Sequence, residues 1–202
     1  MDFEYETGYF ISTDTIEFVE MDDEVQSWEF VSFDVSQQGI TAVADSDSCI
    51  ALYDEDGIFL NAFKIGTSGG IYYIAWSDED LWIYILRGRL AVCVTDAVHH
   101  AKIAEVFKIK NNGSNDKIWE AYHSKNRIQV NNEEYEMVKL FPYSESNDTI
   151  IRYNMDGTTE KYISFEKIVK RHIAETGLFL LLWFFICIIV IFISRMKSSK
   201  ES

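Results

Sequence analysis

The sequence predicts an all-β domain, an antiparallel meander of four-stranded units, followed by a C-terminal transmembrane α-helix. Three observations carry that expectation. Short runs rich in β-branched and aromatic residues recur along residues 1–163, separated by compact polar turns. The strand-sized pieces come in groups of four, and their third members start at Ile50 and Leu90, forty residues apart. Near the end, Leu178 to Ile193 reads LFLLLWFFICIIVIFI, sixteen apolar residues without a break.

Composition narrows the class before any motif is read. The 202 residues are 48% hydrophobic and 25% charged, which suits a packed core and excludes a disordered chain. Eighteen Lys and Arg stand against 33 Asp and Glu, a net charge of -15, so nucleic acid is not an expected partner. Three cysteines, at 49, 93 and 187, are too few for a disulfide framework and lack zinc-ligand spacing. The charge is also divided. The first 63 residues hold sixteen acids and no Lys or Arg, whereas residues 161–202 carry a net charge of +4. An acidic domain beside an anionic bilayer is held off it, while a basic collar is drawn to the headgroups. Acidic surface aids solubility, and it also offers a face to a basic protein partner.

Within the domain, the first group is Trp28–Asp34, Gly39–Asp45, Ile50–Gly57 and Phe59–Phe63. A second runs Ile71–Trp76, Leu81–Leu86, Leu90–Val94 and Ala101–Lys108, and a looser third spans Trp119 to Tyr153. Arg127–Val130 and Tyr135–Val138 alternate polar and apolar, the period of a strand with one wet face. Others, such as Ile71–Trp76, have no polar face and read as strands buried on both sides. Between them lie turns such as Asp45–Ser48, Asp54–Gly57, Ser77–Asp80, Asn131–Asn132 and Asn154–Gly157. Asp56-Gly57 and Asp156-Gly157 are the clearest hairpin turns, because Gly accepts the positive φ that such turns require.

Four strands per forty residues is the size of a propeller blade. Through I-A-L-Y-D-E-D-G at 50–57 and its echo I-I-R-Y-N-M-D-G at 150–157, residues 28–157 resemble β-propeller proteins of the NHL or six-bladed kind. The resemblance implies a binding platform with variable loops and brings no functional residues with it. Three units are fewer than a closed ring needs. Either the 3–20 segment adds a partial blade, the sheets form an open array, or a partner completes them. A β-sandwich of equal strand number is the alternative architecture.

From Ser164 to Thr176 the period turns helical, with Phe165, Ile168, Val169 and Ile173 on one face, predicting a juxtamembrane stalk over 164–176. The span covers 177–194, from Gly177 and Leu178 through Trp183 and Cys187 to Ile193. At 1.5 Å per residue such a helix matches the roughly 30 Å hydrocarbon core. It holds no ionisable residue and no small-x-x-x-small face, so it reads as a passive anchor in the lipid bilayer. Lys167, Lys170 and Arg171 precede it, and Arg195 and Lys197 stand in the short basic tail at 195–202. Met1 to Phe10 lacks the basic and apolar regions of a signal peptide, which favours a tail anchor with the β domain in the cytoplasm.

No motif carries catalysis. Asp54-Glu-Asp56-Gly57 fails as an EF-hand loop, because Leu52 would be its first ligand. Asp45-Ser-Asp47 and Asp78-Glu-Asp80 read as turn acids, and His99-His100 as surface histidines with no third ligand at metal spacing. Asn112-Gly-Ser114 and Asn147-Asp-Thr149 match the glycosylation pattern. Trp28, Trp76, Trp82 and Trp119 read as core and sheet-face residues. The functional expectation is a non-enzymatic, single-pass protein-interaction platform without a cofactor or metal. An outward-facing ligand- or glycan-sensing domain is the alternative.

Overall fold

The computed structural model describes residues 4–6, 11–13, 16–21, 24, 27, 29–67, 72–111, 113, 116–120, 126–140 and 146–168. The span 177–194, with Gly177, Leu178, Trp183, Cys187 and Ile193, lies outside them, as do Lys170, Arg171, Arg195 and Lys197. Among the described residues no helix is long and apolar enough to cross a membrane. The chain divides into two units, Met1–Ser164 and Phe165–Ser202. In the second, residues 165–168 form one helical turn that includes Lys167.

The first unit is all-β and antiparallel. Its strands are β1 (Phe18–Met21), β2 (Phe30–Val35), β3 (Thr41–Asp45), β4 (Cys49–Tyr53), β5 (Phe59–Ile65), β6 (Tyr72–Ser77), β7 (Asp80–Ile85), β8 (Leu90–Thr95), β9 (Lys102–Lys108), β10 (Arg127–Val130), β11 (Glu133–Val138), β12 (Thr149–Tyr153) and β13 (Thr159–Ser164). Among the described residues, three sheets have the orders β1-β5-β4-β3-β2, β6-β7-β8-β9 and β10-β11-β12-β13. The predicted four-stranded meander is therefore present in each.

The first two groups fall where the residue pattern put them; the third does not. Its sheet spans 127–164 rather than 119–153. Trp119, expected on a sheet face, sits instead in a helical stretch over 116–120 with 47% of its surface exposed. β13 escapes the pattern because its outer half is exposed and its inner half buried, so no period of two emerges. Among the described residues the N-terminal segment supplies no further sheet. β1 pairs with β5 as a fifth strand, and Tyr5 bridges to Ile109 beyond β9.

The first sheet is buried on both faces, which is why every residue of β3 and β4 is buried. One face, with Ala42, Ala44, Ile50, Leu52 and Phe63, forms a single apolar core with Ile74, Ile83, Val92 and Val106 of the second sheet. Phe33 and Val43, cross-strand partners on the other face, are fully buried too. The sheets are joined through their inner edges. β6 begins its sheet and has N–H groups that no neighbouring strand takes up. Ser32 Oγ accepts the N–H of Ile74 (3.2 Å) and the Asp34 carboxylate accepts that of Trp76 (2.7 Å). Tyr72 donates its hydroxyl to the Asp45 carbonyl at 2.6 Å.

Asp45 organises the turn between β3 and β4. Its carboxylate accepts the backbone N–H groups of Ser27, Asp47 and Cys49 at 2.9–3.0 Å. Burial nevertheless raises its pKa above the ordinary carboxylate value. The turns Asp54–Gly57 and Asn154–Gly157 occupy equivalent places, between the third and fourth strands of the first and third meanders. In both, the glycine donates to the carbonyl three residues back at 3.0 Å, and φ is +73° and +81°. The sequence echo at 50–57 and 150–157 is thus an echo of position in the sheet.

Candidate functional site

In an antiparallel meander the connections after the first and third strands emerge at one end of the sheet. β2, β6 and β10 run in the same direction, since Ser32 and Asp34 meet Ile74 and Trp76 in order and Asn131 Nδ2 donates to the Gln37 carbonyl at 2.9 Å. The turns at 36–40, 54–58, 78–79, 96–101, 131–132 and 154–158 therefore share one end of the unit. Of the acidic turns read from sequence, 54–56 and 78–80 meet there, joined by Asp96. Asp45 and Asp47 lie at the opposite end.

Two clefts open between these turns. The one between the first and third sheets has a volume of about 530 Å³, and its central side chains, Arg152, Tyr135 and Glu133, are already bonded within the chain. Arg152 bonds Glu160 through Nε at 2.6 Å, gives an Nη hydrogen to the Glu55 carbonyl at 2.5 Å, and lies 4.8 Å over the Tyr162 ring. Tyr162 donates to the Asp54 carbonyl and accepts from Thr41 at 3.3 Å. Tyr135 packs edge-on against Tyr162, with its hydroxyl on Glu133 at 2.7 Å. Burial, followed by the Glu133 carboxylate, pushes the Tyr135 phenol upward. This cleft is a staple between sheets.

The second cleft, of about 690 Å³ between the first and second sheets, is different. Its walls are Ile40, Leu60, Trp76, Ala97 and Val98, and its rim carries Asp54, Glu79, Asp80, Asp96 and His99. Asn61 Nδ2 donates to the Ala97 carbonyl at 3.0 Å, tying the turn after β8 to β5. The turns 36–40, 54–58, 78–80 and 96–101 hold seven carboxylates and no Lys or Arg. Asp54 spends one oxygen on the N–H groups of Asp56 and Ile58 at 3.0 and 2.8 Å. Glu79 and Asp96 are exposed, and their carboxylates have no hydrogen bond or ion pair among the described residues. Leu60 and Ile58 are 36% and 57% exposed beside them. The indole Nε1 of Trp76 is shielded from solvent without an acceptor among the described residues.

Such a cleft can hold an apolar stem and neutralise a cation at its mouth. At Cys93, burial first, then the carboxylates of Asp80 and Glu105, push the thiol up to about 11, which disfavours the thiolate. Among the described residues no group of three or more His, Cys, Asp or Glu is placed to hold a metal ion. His99 and His100 are exposed in the turn after β8. The pattern Asn147-Asp-Thr149 falls inside the third sheet's framework, where Asn147 bridges to Phe30 and Thr149 is buried. Asn112 and Ser114 of the other pattern, and Trp28, lie outside the described residues.

The acidic turns are legible in the sequence, but the apolar wall is not. Trp76 and Leu60 look like ordinary strand residues, and only the meeting of two sheets exposes them to a shared space. A signal was available in turn parity: acids after first and third strands must gather at one end.

No family model and no curated protein matches the chain. Among solved structures it is similar to a streptogramin B lyase, with 12% identity and a TM-score of 0.37. The likeness covers 72% of this chain and 44% of that one, so the chain spans less than half the length of its structural neighbour.

Proposed function

We propose that this chain is a single-pass, membrane-anchored, propeller-like β domain that serves as a protein-interaction platform facing the cytoplasm. It acts by binding rather than catalysis, and its partner is basic. The observation that supports the reading is the gathering of turns from three sheets at one end of the unit, with an acidic rim around an apolar cleft. Rigid strands hold these turns in place, as binding loops require. The uncharged run at 178–193 supports the anchor, and the cations on either side suit anionic headgroups.

Topology and anchoring are tested together. After alkaline carbonate washing the full-length chain should remain in the membrane pellet, and protease added to intact cells should leave the β domain uncut. Release by carbonate would remove the anchor from the proposal. Cleavage from outside would favour the outward-facing ligand or glycan sensor instead.

A further inference from the structure

We infer that the cleft between the first and second sheets is the docking site for a basic segment of a partner protein, seating one Arg or Lys side chain. The inference deepens the platform reading above and rests on it. Charge complementarity selects the occupant. Four carboxylates, Asp54, Glu79, Asp80 and Asp96, rim a space with walls of Ile40, Leu60 and Trp76. Arg and Lys are the side chains that match both features, since their methylene stems cover apolar surface while the charged head stays at the wet mouth. A purely apolar segment satisfies only one of them, and an acidic one is repelled by the rim. The indole of Trp76 adds a π face on which a guanidinium can rest.

The neighbouring cleft shows what a satisfied version of this geometry looks like. There Arg152, from the chain itself, lies over the Tyr162 ring and pairs with Glu160. The cleft between the first and second sheets has the aromatic and the acids, yet its four lining turns contribute no Lys or Arg. A cation arriving from a partner would complete it in the same manner. Glu79 and Asp96 are held by no partner among the described residues, so engaging them breaks nothing in the fold.

The test uses the full-length chain in a non-ionic detergent and three fluorescein-labelled pools of hexapeptides. Arg, Glu or Leu is fixed at the third position, and the other positions are randomised without Asp, Glu, Lys or Arg. Fluorescence polarisation should show the Arg pool binding at least tenfold tighter than the Glu or Leu pool. Glu79→Gln combined with Asp96→Asn should weaken that binding about tenfold, and Leu60→Ser about threefold. Asp47→Asn, at the opposite end, should leave it unchanged. Unchanged melting midpoints would establish that each variant is folded. Equal binding of all three pools, or no binding by the Arg pool, overturns the inference. So does Arg binding that ignores the Glu79, Asp96 and Leu60 changes, though the platform reading then survives with its site elsewhere. Failure of the membrane tests alone leaves the cleft result standing.

Discussion

At the scale of single residues, Gly57 and Gly157 look interchangeable in sequence and are not. Both adopt a φ that an L side chain resists, so each Gly→Ala change should cost about 1 kcal/mol or more from backbone strain. A Cβ at Gly57 would also meet the Tyr162 carbonyl at 3.0 Å and its ring at 3.2 Å, whereas nothing lies within 4 Å of one at Gly157. Gly57→Ala is therefore expected to lower the midpoint of urea unfolding by clearly more than Gly157→Ala, the excess being about 1–3 kcal/mol of overpacking. Equal losses would mean that Tyr162 yields freely. The turn type was legible in the sequence, because Asp-Gly is a local signal. The difference between the two glycines was not, since the obstructing atoms come from a strand more than one hundred residues away.

At the scale of the element, the inner-edge strand β6 shows how side chains finish a sheet. On its side away from β7, the N–H groups of Ile74 and Trp76 face β2, where Ser32 and Asp34 accept them. Removing the carboxylate with Asp34→Ala leaves the Trp76 N–H without that acceptor, which should cost about 1–3 kcal/mol. Hydrogen exchange should localise the effect to β6, with β12 and β13 unchanged. Faster exchange across all three sheets would show instead that Asp34 holds the whole unit. The position of β6 was readable from its β-branched and aromatic residues. The role of Asp34 was not, because a lone acid in an apolar strand carries no mark of the edge that it serves.

At the scale of the whole β unit, the second and third sheets have outer faces of two distinct chemistries. The free face of the second sheet is aromatic, with Tyr73, Trp82, Tyr84 and Phe107, and it is covered by Tyr5, Ile109 and Ile118. Tyr5 packs on Phe107 at 4.9 Å between ring centroids. The face of the third sheet turned away from Tyr135 and Arg152 is a polar ladder, in which Arg127 pairs with Glu134 and Glu136 at 2.7 and 2.9 Å. Tyr153 donates to Glu136 at 2.6 Å, and this bond, then Arg127, lowers the Glu136 pKa. Tyr5→Ala should accordingly destabilise the unit by about 1–3 kcal/mol and raise the fluorescence of a dye that binds apolar surface. Arg127→Ala should leave both unfolding midpoint and dye signal where they were, as exposed ion pairs contribute little. Dye binding by the Arg127 variant alone would reverse the assignment of covered and wetted faces.

The local chemistry was legible in the chain alone: most of the stretches that form strands, the turns between them, how charge divides along it, and the uncharged apolar run expected to cross a membrane. These follow from alternation, turn residues and uninterrupted apolarity, which neighbours along the chain dictate. Which acids share an end, which glycine is crowded and which strand edges are closed by side chains emerge from the folded arrangement of the sheets. Those depend on residues brought together across sheets, and no period along the chain encodes that distance.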